Sequence, residues 1–423
     1  MFKKFIYLMM IAGISINTDA QNIGIGTNAP AGKLHIKGSA DVSQLVIDAN
    51  TTQSNTHPLI RLRTAAGQDL MYIHSDDTAN TFIGLNAGQF NAADKSGYGI
   101  YNTFTGSNAG ASNTMGYGNT ATGFTALTRN NTGYDNTATG NSSLYFNTTG
   151  RLNTAYGALT LINNRTGSFN TAIGSGVLAN CVTGNYNTGV GENTLSATTA
   201  SEYNTALGYN AGYGFDNGYN NVFLGANTDV NNAGYYNVIA IGQGTICTAP
   251  SQVTIGNGAT SSYRAYANWS NISDGRFKKN VQENVPGLDF ITKLRPVTYG
   301  LDATGLNVFL HKQNKNTETN NAMKSIENKS LLEKEAITYT GFVAQEVEAT
   351  AKAIGFNFSG VDAPKDNNDF YGLRYAEFVV PLVKAVQEQQ QMIEELKNEN
   401  ETQKSFNSDL QKQIDELKML VKK

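Results

Sequence analysis

The segment Ser273–Asn280 holds the side chains of this chain whose types and spacing could do chemistry. Its sequence, Ser-Asp-Gly-Arg-Phe-Lys-Lys-Asn, places one hydroxyl within a few residues of three basic groups. A serine hydroxyl becomes a good nucleophile when a base takes its proton, and a lysine is such a base only in its neutral form. The same residues also suit a surface turn and helix cap in which Ser273 accepts a backbone N–H. Taken alone, the segment favours the turn.

Carboxylates and histidines elsewhere in the chain predict no second active site. Between residues 102 and 258 the acids do not recur at a fixed spacing; they are Asp135, Glu192, Glu202, Asp216 and Asp229. Glycoside hydrolysis needs two carboxylates about 5 to 9.5 Å apart across a cleft. The four histidines are scattered along the chain at His35, His57, His74 and His311. We therefore predict neither a metal site nor a bound cofactor.

A 17-residue unit fills the middle of the chain and must position everything attached to it. The unit opens with Asn-Thr and carries Gly at its fifth position. The Asn recurs at Asn102, Asn119, Asn136, Asn153, Asn170, Asn187, Asn204 and Asn221, and the Gly at Gly106, Gly123, Gly140, Gly157, Gly174, Gly191, Gly208, Gly225 and Gly242. A repeat of constant length predicts a solenoid in which each unit forms one turn.

Positions within the unit have separate roles in the predicted stack. The third position is usually Ala and the ninth usually Leu, as in Ala138 and Leu144, which predicts one small and one large apolar column inside the solenoid. The Asn side chains are expected to pair with their equivalents about 4.8 Å above and below, at the strand spacing. The glycines suit corners with positive φ or close backbone approach. The predicted fold class is mainly β, a parallel β-roll of 17-residue repeats.

The composition fits an elongated protein and argues against nucleic-acid binding. Of the 423 residues only 15% are charged, and the net charge is −3, so the chain has no basic field that would attract a polyanion. Lysine is absent from Ser96 to Phe277, whereas the C-terminal end is rich in Lys, Glu and Gln. This change in composition predicts a domain boundary near Ser270.

The N-terminus has the pattern of an export signal. Lys3 and Lys4 precede the apolar run Phe5–Ile16, and Ala20 ends a small-residue site before Gln21. Residues 1–20 are therefore expected to be a signal peptide that is removed. No other stretch is long and apolar enough to serve as a transmembrane anchor.

Short strands are expected between the signal and the repeats. The alternation at Leu34 and Ile36 and the apolar runs Leu45–Ile47 and Leu59–Leu62 indicate a β-rich segment before the roll. Cys181 and Cys247 lie in different turns and are expected to be small buried side chains, with a disulfide as the alternative.

Tyrosines recur in the second half of the repeats. They are Tyr134, Tyr186, Tyr203, Tyr219, Tyr235 and Tyr236. We interpret them as sealing the side of the solenoid or a contact between chains. The alternative is that they stack on sugar rings or anchor a protein partner.

Four motifs follow one another after residue 272. They are Ser273–Asn280, Leu288–Tyr299, Gly341–Glu348 and Leu373–Phe378. In this order they resemble the C-terminal intramolecular chaperone of phage endosialidases and tail spikes, over residues 271 to 390. The resemblance implies a domain that holds three copies of the upstream β-structured chain together while they fold, and that then cuts itself off.

The resemblance also implies roles for individual residues. Ser273 matches the nucleophile and Lys278 the base of a Ser-Lys dyad, with Arg276 and Lys279 near enough to favour a neutral lysine. The cleaved bond adjoins Ser273, on the side of Ile272 or of Asp274. Other positions that match the family motifs are Arg276, Gly341, Gln345, Glu346 and Arg374. The implied activity is that of a single-turnover serine auto-endopeptidase.

One position departs from the family pattern. Family members commonly have His two residues before the Gly-Phe of the third motif, where this chain has Tyr339. If that histidine assists cleavage, the present domain would assemble its client without cutting it. A polar insertion, Gln313–Glu335, also separates the second motif from the third, and it is predicted to be a mobile loop.

A heptad pattern predicts a C-terminal coiled coil. The a positions are Val379, Val386, Ile393, Asn400, Asn407, Ile414 and Val421, and the d positions are Leu382, Gln389, Leu396, Gln403, Leu410 and Leu417. β-Branched residues at a with Leu at d favour a dimer, but the polar middle of the seam weakens this preference. We expect a trimer, because the repeats over residues 80 to 258 resemble the head repeats of trimeric autotransporter adhesins.

The chain is thus expected to have six segments. They are the signal peptide 1–20, the β-rich segment 21–79, the roll 80–258, a linker 259–272, the chaperone domain 273–378 and the coiled coil 379–423. The favoured function is an exported homotrimeric fibre or adhesin-like surface protein that binds an unknown surface glycan or protein. The alternative is a polysaccharide-degrading or phage-derived tail spike with the same chaperone.

Overall fold

The computed structural model describes residues 23–25, 34–36, 43, 45–48, 55–94, 96–311 and 321–421. The predicted signal peptide lies outside these residues. Within them, no helix is long and apolar enough to cross a membrane.

The first two thirds of the described chain consist of short strands joined by tight turns. In chain order the strands are β1 (Ile23–Ile25), β2 (Leu34–Ile36), β3 (Ile60–Arg63), β4 (Asp69–His74), β5 (Thr81–Ile83), β6 (Thr103–Thr105), β7 (Thr120–Thr122), β8 (Thr137–Thr139), β9 (Thr154–Tyr156), β10 (Thr171–Ile173), β11 (Thr188–Val190), β12 (Thr205–Leu207), β13 (Val222–Leu224), β14 (Asp229–Val230), β15 (Ile239–Ile241), β16 (Ile246–Cys247) and β17 (Val253–Ile255).

One long sheet confirms the predicted roll. Thirteen strands, β3 to β13 with β15 and β17, lie side by side, and from β5 onwards every neighbouring pair is parallel. From β6 to β15 each strand pairs with its equivalent 17 residues later, so that Thr137, for example, lies opposite Thr154. At the N-terminal end β4 pairs antiparallel with both β3 and β5, so β4 covers the N-terminal edge of the parallel strands.

Two apolar columns run through the interior, as the sequence predicts. Third-position alanines such as Ala138 and ninth-position leucines such as Leu144 are completely buried. Phe104 and Phe223 occupy the Ala column at the two ends of the roll and are also buried. Each turn thus contributes a small and a large side chain to one continuous core.

The fifth-position glycines allow neighbouring turns to approach closely. Gly140 has a φ of 129°, and a Cβ placed there would lie 2.5 Å from the carbonyl of Gly157 in the next turn. An L-residue would be strained by the positive φ and would collide with the next backbone. The same contact recurs from Gly84 to Gly208, so the spacing of the turns depends on these glycines.

Two ladders of buried asparagines connect the turns. The expected ladder is formed by the opening Asn: in Asn136, Nδ2 donates to Asn119 Oδ1 at 3.1 Å and to the carbonyl of Gly150 at 2.9 Å. The second ladder lies eleven residues later in the unit and was not predicted. It consists of Asn91, Asn113, Asn130, Asn147 and Asn164, whose amides are joined at 2.6 to 2.8 Å.

Cysteine ends the second ladder. Cys181 takes the position of the next Asn, and both cysteines are free and buried, so the disulfide alternative is wrong. Burial raises the pKa of the Cys181 thiol to about 12. Because a thiol cannot reach back as an amide does, Asn164 Oδ1 is left buried without a hydrogen-bond partner in the described chain.

The prediction of a strand at Leu45–Ile47 is wrong. Among the described residues no strand pairs with this run, and its side chains are exposed, Val46 by 68%. An apolar run becomes a strand only where its backbone pairs with a neighbouring edge, and the outermost strand of the sheet, β3, pairs only with β4.

The C-terminal region combines helices with two small two-stranded sheets. A 3₁₀ turn at Gly275–Phe277 comes first, followed by α1 (Leu288–Ile291), β18 (Val297–Gly300), α2 (Ala303–His311), α3 (Asn321–Glu335), β19 (Thr338–Gly341), α4 (Ala344–Ala353), β20 (Val361–Asp362), β21 (Gly372–Leu373) and α5 (Val379–Val421). β18 pairs antiparallel with β19, and β20 with β21. Phe290, Val347, Ala351, Phe358 and Phe378 form a compact core.

The predicted mobile loop is wrong over most of its length. Residues 321–335 form α3, which contacts α2 and buries Leu331. The segment is rich in strong helix formers such as Leu, Glu and Lys, and burial of Leu331 stabilises the helix. Residues 313–320 of the predicted loop lie outside the described residues.

The C-terminus is one continuous helix of 43 residues, as the heptads predict. Its first turns pack on α1, where the backbone N–H of Leu288 donates to Glu388 at 2.7 Å and Ala385 is buried. Farther on, the a and d side chains are uncovered: Ile393 is 46% and Leu396 63% exposed. Among the residues that the structure describes, this part of the stripe is left open to solvent.

Candidate functional site

The serine and lysine singled out from the sequence lie in direct contact. Lys278 Nζ donates a hydrogen bond to Ser273 Oγ at 2.8 Å. The contact is possible because the 3₁₀ turn Gly275–Phe277 folds the chain back between the two residues. Both side chains are exposed, so in the single chain the lysine is a solvated hydrogen-bond donor.

Asp274 and Arg276 form a separate pair within the same turn. Asp274 caps the turn by accepting the backbone N–H of Arg276 at 2.9 Å, and its carboxylate also receives the guanidinium at 2.6 Å. The Arg276 hydrogen bonds hold the pKa of Asp274 below its ordinary value. Arg276 is therefore neutralised by its own neighbour, and the expectation that it favours a neutral Lys278 is not supported by this geometry.

The segment around the dyad is attached to the rest of the domain by the chain alone. Within the described residues, all hydrogen bonds and ion pairs of residues 271–284 stay inside the segment. Its apolar side chains are exposed, Trp269 by 89%, Ile272 by 93% and Phe277 by 74%. Exposed aromatic and aliphatic groups at this density are typical of a surface that another chain covers.

The third and fourth motifs meet in the folded domain. A Cβ at Gly341 would collide with the hydroxyl of Tyr375, and that hydroxyl accepts the backbone N–H of Phe342 at 3.2 Å. Glycine at this position leaves room for the tyrosine of one motif to cross the strand of the other.

The remaining motif residues have structural partners. Glu346 forms a two-point ion pair with Arg295 at 2.5 and 3.0 Å, which links α4 to the strand β18. Arg374 donates to the carbonyl of Ser359 at 2.8 Å and pairs with Asp362 at 2.9 Å. Gln345 is exposed on α4. None of these contacts involves the dyad.

Tyr339 occupies the position where the resemblance expects histidine. It lies opposite Tyr299 in the antiparallel pair of β18 and β19, with the two rings stacked at 5.7 Å. Burial raises the pKa of Tyr299 above its ordinary value. The strand pair thus presents two stacked aromatic rings at this position.

Comparison with known proteins identifies this region. Residues 273–355 match the family described as chaperone of endosialidase. The chain carries a chaperone-of-endosialidase domain. No curated protein and no solved structure matches the chain. The match begins at Ser273 and ends in the residues after α4, so it includes the first three motifs and excludes the roll.

The chaperone domain also docks on the last turn of the roll. Tyr235 Oη donates to Asp366 at 2.7 Å, and Thr248 Oγ1 donates to Asp369 at 2.7 Å. Burial, together with the nearby Asp366 carboxylate, raises the pKa of Tyr235. Lys334 of α3 donates to the carbonyl of Thr260 at 2.9 Å. Two separate parts of the domain therefore cover the open end of the roll.

Sequence reasoning missed this docking surface. Asp366 and Asp369 lie in the short acidic loop between β20 and β21, and its sequence, Asp366-Asn-Asn-Asp, carries no repeat or motif. Tyr235 was grouped with the other tyrosines, but it is buried and faces the chaperone domain. The one signal in the sequence for this contact was the position of Tyr235, directly before the last full turn of the roll.

Proposed function

We propose that this protein is an exported homotrimeric fibre of the adhesin or tail-spike type, assembled by its own C-terminal chaperone. The roll is the lasting part of the fibre and presents a binding surface. The chaperone domain and α5 bring three chains into register, and the domain then cuts the chain next to Ser273. The chaperone-of-endosialidase match behind a 17-residue roll is the observation that carries the proposal.

The uncovered apolar surface supports three-chain assembly. The stripe on α5 and the exposed residues Trp269, Ile272 and Phe277 all lie C-terminal to the roll. Parallel rolls expose unpaired strand edges while they fold, so aggregation competes with folding. Holding three C-termini together raises the local concentration of the rolls and starts them in register.

The dyad geometry supports cleavage on the Ile272 side of Ser273. Ser273 Oγ attacks the carbonyl carbon of Ile272 while Lys278 removes its proton. The C–N bond breaks, the proton passes to the released amino group of residue 273, and water then hydrolyses the ester. We place the cut on this side because Ser273 Oγ reaches the carbonyl carbon of Ile272 through a five-membered ring, whereas attack on its own carbonyl carbon would need a strained four-membered ring.

Assembly and cleavage are coupled in this proposal. A lysine acts as a base only where burial disfavours its charged form. In the single chain Lys278 is exposed, and closure of two further chains over residues 263–281 would supply the burial. Cleavage before assembly is thereby avoided, and cleavage after it leaves the roll kinetically trapped.

Mass measurement on purified residues 21–423 tests the proposal. Cleavage predicts two fragments that sum to the intact chain, the smaller corresponding to residues 273–423. Ser273→Ala and Lys278→Arg should each leave one intact band, because arginine keeps the charge but cannot give up its proton. Lys279→Arg is the matched control and should still cleave. If the wild-type protein is a native trimer of intact chains, the proposed Ser-Lys dyad is wrong but the fibre is not. If its native mass is that of one chain, the fibre proposal is wrong.

Export is tested separately. The N-terminal sequence of the protein recovered outside the producing cell should begin at Gln21. Recovery of the full N-terminus, or retention of the protein inside the cell, contradicts the signal peptide and leaves the assembly proposal standing.

A further inference from the structure

The outside of the roll carries two adjacent columns of side chains. Column one consists of Tyr117, Tyr134, Arg151, Ser168, Asn185, Glu202, Tyr219 and Tyr236, each 17 residues after the last. Column two consists of the residues that follow them, among them Leu152, Phe169, Tyr186, Tyr203 and Asn220, which have φ values of 55° to 61°. The positive φ fixes the direction of the backbone at every turn, so the columns stay in register.

An aromatic stack changes columns twice along the roll. It begins in column one, where the rings of Tyr117 and Tyr134 stack at 4.8 Å. It continues in column two as Phe169, Tyr186 and Tyr203, at 4.7 and 4.8 Å, and returns to column one as Tyr219 and Tyr236, at 5.2 Å. Most ring faces are covered by the next ring, and free faces remain where the stack changes columns.

Arg151 lies at the first crossing, where the aromatic stack passes from Tyr134 in column one to Phe169 in column two. Its guanidinium carbon lies 5.5 Å from the ring centre of Tyr134 and 5.7 Å from that of Phe169. Arg151 Nη1 also donates to Tyr134 Oη at 2.8 Å. Between the end of one aromatic run and the start of the next, the chain thus inserts a planar cation.

The second crossing, between Tyr203 and Tyr219, has no such group. The structure records no ring contact between these two residues, and a surface cavity of about 360 Å³ lies between them, also lined by Asn217 and Asn220. Tyr203 is 53% and Tyr219 47% exposed. The sequence has no Lys or Arg between Arg165 and Arg264, so no basic residue of a nearby turn can enter.

Glu202 gives the second crossing a negative charge. It lines the same cavity, and its Oε1 accepts from Asn185 Nδ2 at 2.8 Å. In the described chain no partner contacts Glu202 Oε2. The site therefore combines an incompletely paired carboxylate with two aromatic rings, which is the environment that binds an organic cation.

We propose that the second crossing binds the guanidinium group of an arginine side chain presented by a protein partner. A guanidinium is planar, stacks on aromatic rings and donates to a carboxylate from its edge. Arg151 shows that a guanidinium stacks on the rings of this surface. The rings beside Arg151 lie two turns apart, whereas Tyr203 and Tyr219 belong to adjacent turns, so the bound group would lie beside these two rings in the cavity that they line. The inference rests on the binding surface proposed above for the roll, but it depends on neither trimer formation nor cleavage.

Titration with small probes tests the inference on the full chain labelled with 3-fluorotyrosine. N-acetyl-arginine amide should shift the fluorine signals of Tyr203 and Tyr219, assigned through Tyr→Phe variants. The neutral isostere N-acetyl-citrulline amide should bind about tenfold more weakly, since it lacks the charge that the rings and Glu202 attract. The signal of Tyr117, at the far end of the stack, should not move.

Variants locate the interaction. Glu202→Gln, which keeps the shape of the side chain, should weaken arginine binding about fivefold, as expected for the loss of one exposed charge contact. Glu192→Gln removes an exposed acid elsewhere on the roll and should change nothing. Equal binding of citrulline, no effect of Glu202→Gln, or tighter binding of glucosamine than of arginine each overturns the proposal. Such a failure would leave the masses measured for assembly and cleavage unaffected.

Discussion

The roll and the C-terminal region bury their apolar side chains in different ways. In the roll, each turn covers the next, so Leu144 and its equivalents are completely buried within one chain. In the C-terminal region, Leu396 on α5 is 63% exposed and Trp269 in the linker 89%. The core of the roll is thus closed within one chain, whereas the exposed C-terminal side chains are, in our proposal, covered by further copies.

This difference suggests a division of labour along the chain. A stack of identical turns has no intrinsic register with a neighbouring stack, because a shift by one turn restores nearly the same contacts. The heptad seam of α5 is irregular, with polar Asn400, Gln403 and Asn407 in its middle, and such layers fix register. In the proposed trimer, the irregular seam of α5 would specify how the three regular rolls align.

The largest expected effect comes from breaking the seam of α5. Ile393→Asp combined with Leu396→Asp places charges where the apolar stripe would pack between chains, so assembly should be lost. The measured solution mass of purified residues 21–423 should fall from that of three chains to that of one. Asn398→Asp, on the outer face of the same helix, is the control and should keep the native mass. An unchanged mass in the double variant would show that α5 is not the assembly element.

The next largest effect is expected in the roll itself. Gly140→Ala adds a Cβ that meets the carbonyl of Gly157 at 2.5 Å, at a φ of 129°. The turns must separate or the backbone must change, so we expect a loss of about 4 kcal/mol or more in unfolding free energy.

Gly234→Ala is the matched control for this substitution. A Cβ at Gly234 has no atom within 4 Å, so stability should change by less than about 0.5 kcal/mol. The comparison is made by denaturant unfolding of both variants. Equal stabilities would mean that the spacing of the turns does not depend on the fifth-position glycines.

Sequence reasoning succeeded where one position repeats and failed where partners are chosen in three dimensions. The register of the opening Asn and the fifth Gly predicted the roll because every turn has the same neighbours. Arg276 was expected to act on Lys278, but it pairs with Asp274 two residues away. Several acceptors lie within reach of a flexible guanidinium, and spacing along the chain does not decide among them.

The second asparagine ladder was not predicted although the sequence contains the signal for it. Asn113, Asn130, Asn147 and Asn164 recur at the same 17-residue interval as the first ladder, so the signal was present. The docking loop with Asp366 and Asp369 had no comparable signal, since it occurs once and is recognised only by the end of the roll that it covers.

A smaller effect is expected from pH at the first turns of the roll. His74, on β4, is 5% exposed and its ring lies 5.3 Å from that of Phe82. Burial lowers the pKa of His74 below its ordinary value. As the pH falls below about 6.5, the unfolded chain takes up the proton before the native chain. The stability that the neutral imidazole contributes is therefore complete above that pH and is lost as the pH falls through the lowered pKa.

Thermal unfolding at a series of pH values tests this expectation. Between about pH 7 and pH 5, the midpoint of the wild type should fall more steeply than that of His74→Phe, which cannot be protonated. His57→Phe removes an exposed histidine from the same part of the chain and should keep the wild-type slope. Parallel slopes for His74→Phe and wild type would contradict a buried neutral imidazole.

The smallest expected effect concerns the end of the second ladder. Cys181→Asn should let the new Nδ2 donate to Asn164 Oδ1, which now has no partner, and to the carbonyl of Gly184, where the thiol makes only a 3.8 Å contact. The new Oδ1 would face Thr198, whose hydroxyl already donates to Leu195, so the gain is limited to about 1 kcal/mol. Cys181→Ser, whose hydroxyl is too short to reach Asn164, should show no such gain. If the asparagine variant is less stable than wild type in denaturant unfolding, the cysteine is required by the packing of its turn, and the ladder ends there for a structural reason.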